Sequence, residues 1–390
     1  MTGRLGDLVR PGMLVALGDG IGSPRTVTAE LSQAARSAGG VRLLLGWMPV
    51  ADPALDLTAF ADVRTVMSGW SLRRAIDAGL VKAVPTRLSG VPALLRGPLR
   101  PDLLVAAVVP QPGGGLGFGA EVGWMRAAVA AGARIAGVLA PRYPQCDSGP
   151  PLPEDRLVIV AHSEERPAAL SFTAPQAEHR VIAGHVAALV PEGARVQVGP
   201  GALGVAILDG LRSPVRIDSG LLPDGVVDLD RRGLLVGEPA GAYLAGGDRL
   251  LDWADGRPVL HPVEYTHDPG RLSAGVPLIA VNTALEIDEQ GQVNVEGLPG
   301  AAVGGIGGHP DYAAGASRSP GGLSIVALPA ARQGRPTLVA ELSGPVSTPG
   351  HDVDIVVTET GAADLRGLDR AERAAALRDL WAASAATRRS

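Results

Sequence analysis

Two glycine-rich stretches hold the residues of this 390-residue chain whose types and spacing could do chemistry. In the first, Gly199-Pro200-Gly201-Ala202-Leu203-Gly204 follows an apolar strand pattern and opens a helical one, with Asp218 at the end of the next strand. In a dinucleotide site this spacing lets the backbone approach a pyrophosphate at a helix N-terminus while the acid takes a ribose hydroxyl. Pro200 removes an amide donor, and the related turn near the N-terminus, Gly18-Asp19-Gly20-Ile21-Gly22-Ser23, breaks the pattern. An NAD-dependent oxidoreductase resting on Gly199, Gly201, Gly204 and Asp218 is therefore one alternative reading. The second stretch is Gly304-Gly305-Ile306-Gly307-Gly308-His309-Pro310-Asp311-Tyr312. Successive glycines can present backbone N–H groups to a developing oxyanion or to phosphate oxygens without side-chain clash, the alternative being a plain flexible loop. His261 and His267, in His261-Pro262-Val263-Glu264-Tyr265-Thr266-His267-Asp268-Pro269, can point into a cleft or stand as solvated loop residues. Neither GxSxG nor HExxH occurs, and the seven histidines form no metal-binding pattern.

The elements that must position these residues come in two copies. At an offset of 181 residues, Leu8, Val9, Gly12, Val15, Gly18 and Gly20 fall on Leu189, Val190, Gly193, Val196, Gly199 and Gly201. Each copy opens on a short apolar strand that ends at a glycine pair. A helical pattern follows, over 26–35 in one and 204–211 in the other, and then a second strand, at 41–45 and 215–217. Strands alternating with helices imply a largely parallel sheet, so the fold class expected is α/β: two similar open α/β domains from an internal duplication. The polar, proline-rich stretch 147–177 marks the boundary, giving an N-terminal domain over 1–165 and a C-terminal domain over 166–390. An Ala- and Arg-rich helix over 368–386 should close the second.

Composition narrows the function. Aromatic residues make up only 3% of a chain that is 46% hydrophobic, so the core is built from Val, Leu, Ile and Ala, as in sheets covered by helices. The formal net charge is −5 and the arginines are dispersed, which argues against a nucleic-acid partner. A single cysteine, Cys146, excludes a disulfide framework or a multi-thiolate metal site and fits a reduced, cytoplasmic setting. The N-terminal residues lack a hydrophobic signal core, and no apolar run approaches membrane length, so neither export nor membrane insertion is expected.

Several longer motifs together resemble the acetyl-CoA hydrolase/transferase family, which includes the 4-hydroxybutyrate and succinyl-CoA:acetate CoA-transferases. They are Asp224-Gly-Val-Val-Asp-Leu229, Pro262-Val-Glu-Tyr-Thr-His-Asp-Pro269, Asn282-Thr-Ala-Leu-Glu-Ile-Asp288 with Gly291-Gln-Val-Asn294, Gly305-Ile-Gly-Gly308, Gly321-Gly-Leu-Ser-Ile-Val-Ala-Leu-Pro329, and Val357-Thr-Glu-Thr-Gly-Ala-Ala-Asp-Leu-Arg-Gly367. The resemblance implies a CoA-transferase-like fold with its active site at the domain junction and a CoA thioester as substrate. It implies no resident cofactor and no metal, and a homo-oligomer. It also implies a glutamate nucleophile that passes through an acyl-glutamyl anhydride and a glutamyl-CoA thioester. Backbone amides of Gly305, Ile306, Gly307 and Gly308 would bind the oxyanion or CoA.

The departures from the family pattern bear on the reaction. In Ile217-Asp218-Ser219-Gly220-Leu-Leu-Pro-Asp224 the glutamate position falls on Gly220, and residues 215–227 contain no glutamate. The asparagine of the family's YxND segment is His267 here, and its first-domain PPDEHGY loop is replaced by Pro110-Gln-Pro-Gly-Gly-Gly-Leu-Gly117-Phe118. Asp218, on the same strand face as Gly220, is the nearest substitute carboxylate. Otherwise His267 could act as a general base on water, giving thioester hydrolysis or other acyl-CoA chemistry such as carbon–carbon bond hydrolysis. The expectation is an acyl-CoA-handling enzyme without the standard glutamyl anhydride; a non-catalytic acyl-CoA-binding protein or subunit is the alternative.

Overall fold

A computed structural model describes residues 2–147 and 149–387, divided into two compact units. One comprises Met1–Ser171 with Ala240–Thr266, the other Phe172–Pro239 with His267–Ser390. Each is an α/β unit built on an open, mainly parallel sheet. The first unit thus runs through 171, beyond the boundary expected at 165, and takes in residues 240–266 as well. Within 147–177, expected to be connecting chain, Leu157–His162 forms an edge strand of the first sheet.

In the first unit β1 (Leu14–Leu17) pairs in parallel with β2 (Arg42–Leu45) on one side and β3 (Leu103–Pro110) on the other. A helix, α1 (Thr28–Ala38), connects β1 to β2. Its buried residues Thr28, Leu31, Ser32 and Ala35 recur at helical spacing, and Gly39, at φ 76°, ends it. All but the last residue of β3 are buried, as expected of an interior parallel strand covered on both faces.

The second unit repeats the plan. An offset of 181 carries residues 14 and 17, the ends of β1, onto 195 and 198, the ends of β4 (Arg195–Val198). There β4 pairs with β5 (Arg216–Ile217) on one side and β6 (Leu278–Asn282) on the other. The sheet continues through β7 (Leu323–Ala327) and β8 (Ile355–Thr358) to an antiparallel edge strand, β9 (Gly361–Asp364). The turn after β4 leads through Gly201, at φ 117°, into α2 (Ala202–Gly210). A Cβ on Gly204 would strike the carbonyl oxygen of Gly199, so close packing of turn on helix accounts for the last glycine of the motif. Further along, α3 (His309–Arg318) is buried over its first eight residues and packs Tyr312 and Ala316 against Leu272, Leu278 and Ala280. The closing helix, α4, spans Arg370–Thr387. None of the described helices is long and apolar enough to cross a membrane.

Candidate active site

Gly220, His267 and Gly308 meet in the second unit. Gly220 lies just beyond β5, and Gly308 caps the N-terminus of α3. A Cβ on Gly220 would stand 3.2 Å from Nε2 and 3.3 Å from Cε1 of His267; one on Gly308 would collide with the same ring. The imidazole therefore fills space that side chains at 220 and 308 would need. Tyr312, one turn into α3, meets the ring edge-on, with centroids 5.0 Å apart and planes at 68°. Its Cε2 is 3.8 Å from the position of a Cβ on Gly220. The histidine is 1% exposed. Burial, with a smaller push from the Arg271 guanidinium, lowers its pKa to about 3, so the ring is neutral at physiological pH.

Asp218 adjoins this group but is engaged elsewhere. Its Oδ2 accepts hydrogen bonds from Arg271 at 2.8 Å and Arg195 at 3.3 Å. Arg195 also donates to the carbonyls of Arg271, Leu272 and Ala274, while Asp268 accepts from the Arg271 amide and caps the turn Pro269–Leu272. The carboxylate thus ties β4 and β5 to the chain following His267. This engagement also bears on the dinucleotide motif, where the same acid would have to reach a ribose. The Gly199–Gly201 turn opens onto a groove of about 550 Å³ lined also by His179, Thr283 and Arg332. Burial lowers the pKa of Arg332.

The loop before α3 is rich in glycine, over Gly304-Gly305-Ile306-Gly307-Gly308. The amides of Val303 and Gly304 both donate to the carbonyl of Glu296, anchoring its start. Among the described residues, the amides of Gly305, Ile306, Gly307 and Gly308 donate to no protein acceptor. Gly307, at φ 58°, holds a left-handed conformation that turns the chain into the helix. Pro310 occupies the first turn of α3, where a missing N–H carries no penalty. His309 opens the helix just before it, with Nδ1 2.6 Å from Thr348 Oγ1 and burial lowering its pKa to about 4. Glu286, another acid noted in the sequence, is a clamp: it accepts from Asn294 and from the amide and hydroxyl of Ser343.

The glycine turn of the first unit encloses carboxylates. Asp19, directly after Gly18, directs Oδ2 at the amide of Trp47 (2.7 Å), Trp124 Nε1 (3.0 Å) and the Tyr243 hydroxyl (3.1 Å). Burial raises its pKa to about 6 against the pull of these donors. Glu121 accepts from the Gly22 amide at 2.9 Å, and burial, with Asp19's charge adding, pushes its pKa well up. A Cβ on Gly20 would lie 2.6 Å from Glu121 Oε2 and one on Gly22 2.5 Å from Glu121 Oε1, so the packing of this acid against the turn accounts for glycine at both positions. Neither acid was singled out from the sequence as a buried partner, because 102 positions separate 19 from 121 and no local pattern links them. Tyr312, Arg195 and Arg271 escaped notice for the same reason. No group of three or more metal-binding side chains occurs among the described residues.

The second unit is an open, mainly parallel α/β sheet with a glycine-rich loop leading into α3. Comparison with known proteins extends this description. Residues 246–389 match the acetyl-CoA hydrolase/transferase C-terminal domain. A 4-hydroxybutyrate coenzyme A transferase of Clostridium kluyveri is 30% identical over 214 residues, 51% of this chain and 50% of that protein, so the chain spans about half of its length. Among solved structures, RipA from Yersinia pestis superposes with a TM-score of 0.84 at 23% identity, covering 97% of this chain and 95% of that one. The 4-hydroxybutyrate CoA-transferase of Porphyromonas gingivalis gives 0.75 at 24% identity, covering 98% and 95%. Residues 246–389 thus carry the pattern of the acetyl-CoA hydrolase/transferase C-terminal domain, and the fold of the whole chain is that of its structural neighbours.

Proposed function

We propose that this protein binds an acyl-CoA thioester and hydrolyses it by direct attack of water, with no acyl-enzyme anhydride. The observation that carries the reading is the side-chain-free position 220 facing the neutral ring of His267 beside four undonated amides of the 305–308 loop. Gly220, taken as the counterpart of the family's glutamate, provides no nucleophile. Asp218 is a poor replacement, because Arg195 and Arg271 hold its carboxylate through Oδ2, and its side chain is shorter than that of glutamate and two residues from position 220. The amides of Gly305, Ile306, Gly307 and Gly308 would receive the carbonyl oxygen as it gains charge, an interaction that strengthens toward the transition state. His267 Nε2 would take the proton of the attacking water.

A second reading, acyl-CoA binding without turnover, is favoured by one specific observation. A conjugate acid with a pKa near 3 makes His267 a weak base in the free protein. Release of free CoA thiol from a panel of acyl-CoAs, run beside calorimetric titration of CoA, acetyl-CoA and NAD, separates the readings. Hydrolysis that is abolished by His267→Ala supports the first. Binding of a CoA ester with no thiol release supports the second, and binding of NAD alone overturns both.

A further inference from the structure

The two ends of the 305–308 loop are tied to one dipeptide, Ser347-Thr348. At the far end His309, the first residue of α3, sets Nδ1 2.6 Å from the Thr348 hydroxyl, and its own amide donates to the carbonyl of Ile306. The ring is neutral at physiological pH, so Nδ1 is free to accept from that hydroxyl. At the near end the amides of Val303 and Gly304 share the carbonyl of Glu296, and the Glu296 carboxylate accepts from the Ser347 hydroxyl at 2.8 Å. The same hydroxyl accepts from the Val295 amide at 3.1 Å. The dipeptide is itself held in place. Thr348 exchanges both backbone hydrogen bonds with Val293, at 3.0 and 3.2 Å, and the Ser347 amide adds another to the Val293 carbonyl at 2.8 Å. Val293 in turn belongs to a strand, Val293–Asn294, that pairs with Glu286–Asp288. Ser347, Thr348 and His309 are all buried, so water competes little for these bonds.

We propose that Ser347 and Thr348 are positioning residues for the glycine loop: acting through Glu296 and His309, they fix its span and so the directions of the amides of Gly305, Ile306, Gly307 and Gly308. The inference rests on the hydrolytic reading above, in which those amides receive the carbonyl oxygen. The need for such a support follows from the composition of the loop. Three of its four residues are glycine, which adopts many backbone conformations at similar cost. Among the described residues the four amides have no acceptor that would set their directions, so their orientation has to come from the two ends. Donors stabilise a developing oxyanion best when they are aimed before the reaction, because turning them during it opposes the gain. Before the carbonyl gains charge the loop contributes little to the hold on the ester, so loosening it lowers turnover more than affinity.

The test is Thr348→Val, which keeps the shape of the side chain and removes its hydroxyl, beside Thr348→Ser, which restores the hydroxyl. Ser347→Ala releases the other end of the loop and carries the test if Thr348→Val fails to fold. Acetyl-CoA is the probe for thiol release and for calorimetric binding, and hydrogen exchange is followed by mass spectrometry on the peptide carrying residues 303–309 of the full chain. Thr348→Val and Ser347→Ala should each lose about tenfold to a hundredfold in kcat while the Kd for acetyl-CoA stays within about twofold of the parent. Thr348→Ser should recover most of the loss. Exchange across 303–309 should be faster in Thr348→Val and Ser347→Ala than in the parent. Turnover equal to that of the parent, or a rise in Kd as large as the fall in kcat, overturns the positioning role. Unchanged exchange across 303–309 overturns the anchoring itself. Complete lack of thiol release by the parent refutes the hydrolytic reading instead, and the exchange comparison alone then decides whether the dipeptide holds the loop.

Discussion

Replacing Asp19 by asparagine should remove a large part of the pH dependence of the first unit's stability. Burial lifts this carboxyl from 3.8 to about 6, a shift of about two units, and each unit corresponds to about 1.4 kcal/mol. The folded state therefore holds the proton more tightly than the unfolded chain does. Its contribution is fully present below pH 4 and is lost as the pH rises through about 6, for a total near 3 kcal/mol. Glu121, whose pKa is also raised, extends the loss to higher pH, and the Asp19 charge contributes to that rise. Asp19→Asn keeps an acceptor for Trp47, Trp124 and Tyr243 while removing the titration. Urea unfolding followed by tryptophan fluorescence is the assay, since Trp47, Trp70, Trp124 and Trp253 all lie in the first unit and only Trp381 in the second. Between pH 4 and pH 7 the parent should lose about 3 kcal/mol more than Asp19→Asn, which retains the loss due to Glu121. Equal slopes for the two proteins would refute the assignment of a raised pKa to Asp19.

The second unit should respond in the opposite direction. His267 is held neutral at about 3 against an ordinary 6.5, so its contribution is present above pH 6.5 and is lost on acidification; His267→Asn should flatten the acid side of a denaturation curve read from Trp381. Gly308→Ala puts a methyl group into the His267 ring and should lower the melting temperature and any thiol release together, whereas Gly201→Ala meets no atom within 4 Å and is strained only through its φ of 117°. Asp218→Asn uncouples Arg195 and Arg271 from their acid and should destabilise the second unit by about 3 kcal/mol or more, measured by urea unfolding. Gly220→Glu alone should be hindered by the ring 3.2 Å from its Cβ. Combined with His267→Asn it should gain a carboxylate that borohydride or hydroxylamine traps as an acyl or CoA adduct, read by mass spectrometry of the peptide carrying residue 220.

What could be read along the chain was what is local. The strand-and-glycine openings at 14–18 and 195–199 announce themselves through apolar runs ended by residues that tolerate tight turns, and the offset of 181 aligns β1 with β4. The start of α2 was expected at 204 and lies at Ala202, because Gly201 makes the cap rather than Gly204. The assignment of residues 240–266 to the first unit had no sequence signal, since it depends on tertiary packing and leaves no mark in composition. The same holds for chemistry. Gly220 and His267 were legible because each departs from a motif, but the two arginines that hold Asp218 lie 23 and 53 positions away from it. The exposed-looking Gly18–Ser23 turn gave no hint that Glu121 fills it. Long-range pairs of this kind are set by topology, which brings the ends of neighbouring parallel strands together however far apart they lie in the chain.

The central claim is that the acyl group passes to water without visiting a side-chain carboxylate. A single-turnover reaction in water enriched in heavy oxygen, quenched into borohydride and examined by intact-protein and peptide mass spectrometry, tests it most directly. The prediction is one heavy oxygen in the released carboxylic acid, free CoA in equal amount, and an unmodified protein. A trapped adduct on Asp218 or any other carboxylate, or no CoA release at all, would contradict it.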